Sequence, residues 1–180
     1  MIKTFVQKMR GTTQSPPRVS SAEILWSWVG ACLGIGIVGY LNSRYFEKGD
    51  LVLIIGSFGA SAVLIYGAVK SPLAQPRNLL GGHLISALVG VLSYKLFCPH
   101  LWLASSIAVA TSIALMHLTK TLHPPGGATA LIAVIGGPKI TNLGFLYALI
   151  PVGAGIAIML IVALIVNNIP QQRKYPEFWF

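Results

Sequence analysis

The chain has 180 residues, of which 54% are hydrophobic and only 9% charged, with a mean hydropathy of +0.73. That composition excludes an ordinary soluble domain and puts the chain in a lipid bilayer. Its formal net charge of +9, with a pI near 9.9, is read as membrane orientation and contact with lipid headgroups rather than as a nucleic-acid-binding face.

Residues 1–22 form a basic, polar tail with Lys3, Lys8, Arg10 and Arg18 and no apolar signal-peptide core. Five apolar runs then reach spanning length: Ile24 to Leu41, Leu51 to Val69, Leu79 to Phe97, Leu101 to Leu118 and about Gly144 to Val166. Between the last two lies His123-Pro124-Pro125-Gly126-Gly127-Ala128-Thr129-Ala130 and the apolar run to Gly137, too short to cross as one helix and read as a half-helix. Residues 169–180 form a second tail, with Arg173 and Lys174 matching the charge of the first. The positive-inside rule places both tails in the cytoplasm, which requires an even number of crossings. The expectation is an all-α membrane protein with about six crossings, five full helices plus a broken segment. The alternative is four full spans plus two re-entrant segments, which also leaves both ends inside.

Gly59-Ala60-Ser61-Ala62-Val63-Leu64-Ile65 resembles Gly127-Ala128-Thr129-Ala130-Leu131-Ile132-Ala133 at an offset of 68 residues. Each copy lies between two apolar runs, dividing the membrane part into a first unit, 23–97, and a second, 98–168. Three crossings per unit would make this a 3+3 inverted repeat, which brings two discontinuous helices together near the midplane. Two helix amino ends would then offer backbone N–H groups and positive dipole ends to a small anion. The residues expected at that site are Gly59, Ala60, Ser61, His123, Pro124, Pro125, Gly126, Gly127, Ala128 and Thr129. Small-residue runs also serve plain helix packing, and that reading stands beside the first.

Charge and titration narrow the chemistry. Glu23, Glu47, Asp50 and Glu177 all lie near span ends or in tails, so no carboxylate is available inside the membrane to carry a cation or relay protons. His123, at the break, is the candidate polar gate or proton-linked group; His83 and His117 are weaker candidates. Cys32 and Cys98 are isolated, no metal-ligand spacing exists, and no cofactor is expected. A catalytic reading lacks a nucleophile elbow, a phosphate loop and a third triad member, so an enzyme is not expected.

Three motifs in order, Phe58-Gly59-Ala60-Ser61-Ala62, Ser71-Pro72-Leu73-Ala74-Gln75-Pro76-Arg77-Asn78 and Pro124 to Ala133 after His123, resemble the HPP family of small integral membrane proteins. The resemblance covers most of residues 23–168. It implies transport of nitrite, as associated with cyanobacterial and chloroplast members, and a bacterial plasma membrane of cyanobacterial type. It also implies that Arg77, Asn78 and His83 shape an entrance. From the residues alone, Ser71 to Asn78 is a connection in which Pro72 and Pro76 block helix and Asn78 is available to cap the next span. The expected partners are a small inorganic anion, membrane lipids and a further copy of the chain. The competing expectation is a membrane scaffold or assembly partner that transports nothing.

Overall fold

The structure is a computed structural model that describes residues 2–11, 13–49 and 51–180. A short helix, α1 (Ile2–Lys8), precedes the membrane part. Helix α2 (Ser21–Leu41) starts where the Ser20 hydroxyl accepts from the Glu23 amide at 3.2 Å, and a π turn extends it over Asn42–Phe46. Helix α3 (Ser57–Ala62) continues as a π turn over Val63–Gly67. Helices α4 (Pro76–Phe97) and α5 (Leu101–Leu118) form an antiparallel hairpin through a three-residue turn. Helix α6 (Pro124–Ile135) follows, then the short α7 (Pro138–Thr141) and, after an irregular stretch, α8 (Ala154–Val166). Proline opens both α4 and α6, where the missing amide hydrogen would have had no helical acceptor.

Among the described residues four helical passages are long and apolar enough to cross a membrane: Ser21–Phe46, Pro76–Phe97, Leu101–Leu118 and Gly144–Val166. Ser57–Gly67 and Pro124–Ile135 are shorter. The twelve residues of α6 rise only about 18 Å, little more than half a hydrocarbon core. The expected full span from Leu51 to Val69 is therefore corrected. Leu51 to Ile55 has no regular secondary structure and only the part from Ser57 onward is helical. The cause lies at the end of α2, where the Asn42 side-chain oxygen accepts from the Leu53 and Ile54 amides at 2.7 and 3.3 Å. Backbone at this depth needs such a partner, because lipid supplies none. The last passage is also irregular: Ile150 has extended backbone (φ −134°, ψ 121°), as expected of a residue that precedes a proline.

The carboxyl end of α8 and the amino end of α2 meet, with Arg173 and Glu23 forming an ion pair at 2.8 Å. Both ends of the membrane part thus lie on one side. The end of α3, the start of α4 and the end of α5 gather there too, joined through Tyr66, Gln75, Arg77 and Thr119. Helix α6 leaves that side and runs beside α4. Gly126 abuts Gly82, Gly90 abuts Ala130, and Val134 and Tyr94 line one cavity at the far side. A Cβ at Gly90 would stand 2.5 Å from the Ala130 carbonyl oxygen, so this close packing requires glycine. On the other flank the Phe58 ring fills the notch at Gly155, and Tyr66 fills the notch at Gly30 and Gly34.

Candidate functional site

Helices α3 and α6 lie side by side with opposite polarity. Ser57 meets Thr129, while Ser61, one turn later, meets His123 at the start of α6. An i, i+4 spacing puts Ser57 and Ser61 on one face of α3, and the same spacing puts Pro125 and Thr129 on one face of α6. His83, from the second turn of α4, enters between them. The result is a continuous chain of polar contacts. The His123 Nδ1–H donates to the Leu73 carbonyl at 2.8 Å, and His123 Nε2 is 3.0 Å from Ser61 Oγ. Ser61 Oγ is 2.7 Å from His83 Nε2, and His83 Nδ1 is 2.7 Å from Thr129 Oγ1. Thr129 Oγ1 is in turn 2.8 Å from Ser57 Oγ and 3.4 Å from the Pro125 carbonyl. Ser61, His83, His123 and Thr129 are fully buried and Ser57 is 1% exposed. Every one of these groups has a partner, as burial away from water demands.

The sequence-expected residues divide. Ser61, His123, Pro125, Gly126 and Thr129 are buried together at this crossing. Gly59, Ala60 and Pro124 face outward, and Gly127 and Ala128 are half-buried on the outer face of α6 beside Val109 and Ile113. The helix amino ends are less open than a simple anion nest. Pro124 and Pro125 have no amide hydrogen, the Gly126 amide donates to the His123 carbonyl at 2.8 Å, and those of Phe58 and Gly59 donate to Ile55 and Gly56. Hydroxyl and imidazole groups, rather than main-chain amides, dominate the crossing.

His83, expected at an entrance, lies at the centre. Arg77 and Asn78 instead clamp the turn before α6, donating to the Thr119 and Leu122 carbonyls at 2.7 and 2.8 Å. Asn78 therefore does not cap α4, whose flanking residue is Gln75. His117 is exposed on α5. Sequence reasoning missed Ser57, the Leu73 carbonyl and Tyr147, whose hydroxyl donates to the Thr129 carbonyl at 3.0 Å. Ser57 was detectable by its i, i+4 relation to Ser61; the Tyr147 contact carries no sequence signal.

The carboxyl-terminal tail closes the side where α2 begins. The Arg173 guanidinium, 2% exposed, reaches Glu23, the Glu23 carbonyl, Ser27 Oγ, Asn167 Oδ1 and the Tyr66 carbonyl. Arg173, expected only to mark the cytoplasmic side, is also held in an ion pair with Glu23. Burial pushes the Tyr175 hydroxyl above its usual pKa, and it donates to the Ala74 carbonyl at 2.8 Å. Among the described residues no carboxylate enters the polar crossing and no cluster of His, Cys, Asp and Glu could hold a metal. Asp50 lies outside them.

A family description, the HPP transmembrane region, matches residues 16–176. The chain is 45% identical over 179 residues to a transmembrane protein of Dictyostelium discoideum, covering 98% of this chain and 57% of that protein. A second Dictyostelium transmembrane protein is 43% identical over 173 residues, covering 94% and 60% respectively. No solved structure matches the chain significantly. The fold and site define an all-helical integral membrane protein with two interrupted passages. The chain belongs to the HPP transmembrane family. It spans less than two thirds of the length of these relatives, which come from Dictyostelium rather than from a cyanobacterium.

Proposed function

We propose that the protein moves a small monovalent anion, nitrite foremost, across a membrane at the crossing of α3 and α6. The observation that carries this reading is the buried, carboxylate-free set of Ser57, Ser61, His83, His123 and Thr129 between two interrupted helices. Neutral hydroxyl and imidazole groups can turn hydrogen-bond donors toward an anion, and no fixed negative charge opposes it. Lys70, Arg77, Lys95, Lys120 and Lys139 are the formal charges from Leu51 to Pro170, and they favour anions at the membrane faces. Nitrite itself rests on the family resemblance.

The architecture we propose is a 3+3 inverted repeat of six crossings, counting 51–67 and 119–136 as broken ones, with both termini cytoplasmic. Reciprocal contacts support it. At the 68-residue offset Ser57 corresponds to Pro125 and Ser61 to Thr129, so Ser57 against Thr129 has its counterpart in Ser61 against the start of α6. Phe58 against Gly155 is matched, within one residue, by Gly126 against Ser86. The basic residues of both tails favour the cytoplasmic side.

Uptake of nitrite, with nitrate, formate and chloride as comparators, into vesicles holding the purified chain tests the reading. Nitrite entry that Thr129→Val lowers at least about tenfold supports it, a rise of about 1.4 kcal/mol in the rate-limiting barrier. Folded protein that moves none of the four anions leaves the scaffold as the better account.

A further inference from the structure

The hydrogen bonds of the crossing restrict where protons can sit. A carbonyl only accepts, so the bond to Leu73 requires a proton on His123 Nδ1. In neutral His123, Nε2 is then an acceptor and the Ser61 hydroxyl donates to it. Ser61 Oγ is left to accept from His83 Nε2–H, so neutral His83 must accept at Nδ1 from Thr129. The Thr129 hydroxyl is also placed to donate outward, to Ser57 Oγ at 2.8 Å or the Pro125 carbonyl at 3.4 Å, and when it does so His83 Nδ1 must carry a proton to keep its bond. The set then holds one proton more, and one of the two rings is an imidazolium. The direction of a single hydroxyl thus fixes the proton count of the crossing.

We propose that His83 and His123 bind one proton between them, pass it across the Ser61 hydroxyl, and report its presence through Thr129. The ring centroids are 5.0 Å apart with the planes tilted by 55°, and Ser61 Oγ bridges the two Nε2 atoms. Transfer is balanced. The Nε2 proton of cationic His83 moves to Ser61 Oγ while the hydroxyl proton of Ser61 moves to His123 Nε2. The positive charge changes rings and the number of protons stays constant. The groups facing the pair are Ser57 and the Phe58 ring edge from α3, Thr129 and the Pro125 carbonyl from α6, and the Leu73 carbonyl from the linker before α4. Met116 of α5 packs at Gly82 and Ser86, and Tyr147 reaches the Thr129 carbonyl. None of these groups carries a formal charge, so no fixed ion holds the proton on one ring. This inference is independent of which ion the protein moves.

Nitrogen NMR of the full chain in lipid vesicles, with labelled histidine and a pH titration, tests it; exposed His100 and His117 serve as references. At alkaline pH, His123 is expected as the Nδ1–H tautomer and His83 as the Nε2–H tautomer. On acidification, signals of both rings should move together through one midpoint that accounts for one proton. In Ser61→Ala the rings should part, each moving through its own midpoint. An Nε2–H tautomer for neutral His123, separate midpoints in the unaltered protein, or a Ser61→Ala titration identical to it would each overturn the proposal. The first two need no variant, so a Ser61→Ala chain that fails to fold leaves the test intact.

Discussion

In the first interrupted passage, 51–67, the approach is held by a nearby side chain and the helix end by side chains from far along the chain. Asn42 holds the Leu53 and Ile54 amides, and Asn167 and Arg173, more than a hundred residues away, hold the Ile65 and Tyr66 carbonyls. In the second, 119–136, the partners lie 42 and 44 residues away. Arg77 and Asn78 at the start of α4 hold the Thr119 and Leu122 carbonyls, and two prolines remove donors that would otherwise need acceptors. Both arrangements answer the absence of water in the bilayer, yet they differ in what they depend on. The second passage is closed within the α4–α5–α6 group. The first is closed only when the carboxyl-terminal tail is docked.

The largest expected effect breaks that dependence. Arg173→Ala removes a buried guanidinium and strands the Tyr66 carbonyl, Asn167 Oδ1 and a Glu23 carboxylate that is 26% exposed, while Ser27 keeps its bond to the Glu23 carbonyl. Breaking a buried pair costs about 3–5 kcal/mol, and the partial exposure of Glu23 points to the lower end. Thermal unfolding in detergent should fall accordingly, and amide exchange should rise near 63–70 while 119–123 stays protected. Equal exchange at both passages would show that the tail does not serve the first one alone. Arg173→Lys should recover little, since an ammonium cannot reproduce the five-donor fork.

Asn42→Ala comes next in size. It leaves two amides of the first passage without a partner, one of them at Leu53, which is 1% exposed. The cost expected for such stranded groups is about 2 kcal/mol. Exchange protection should be lost at Leu53 and Ile54 and kept at 124–135. An unchanged unfolding midpoint would mean that the non-helical stretch finds other partners.

Much of this organisation can be read from residue types. Pro124-Pro125-Gly126-Gly127 marks the second break, because proline stops one helix and starts another, and its distance from neighbouring apolar runs fixes a half-helix. The echo at Gly59 locates the first break, but Leu51 to Val69 still reads as a full span. Its non-helical part is apolar, and the interruption depends on Asn42 making a tertiary contact that hydropathy does not register. The site is legible to a similar degree. Ser61, Thr129 and His123 belong to the motifs, whereas His83 looks like a residue near a helix start until the antiparallel overlap of α3 and α6 carries it to the centre. Arg173 looks like a topological cation for the same reason: its partner, Glu23, is 150 residues away.

The smallest effect sharpens the comparison where the two passages touch. Ser57→Ala deletes the hydroxyl that pairs with Thr129, but Thr129 keeps contacts with His83 Nδ1 and the Pro125 carbonyl. With alternatives in place, the loss should be about 0.5–1 kcal/mol, the net value of one hydrogen bond. Thr129→Val keeps the shape but removes all three contacts, leaving the Ser57 hydroxyl and His83 Nδ1 each without that partner, so about 2 kcal/mol is expected. The double variant decides how the passages are coupled. If Ser57 acts only through Thr129, Ser57→Ala adds almost nothing to the destabilisation of Thr129→Val, and a cycle of unfolding midpoints gives a coupling close to the whole Ser57 effect. Simple additivity would instead mean that Ser57 stabilises the start of α3 by itself, and that the two interrupted helices meet through Ser61 and the histidines alone.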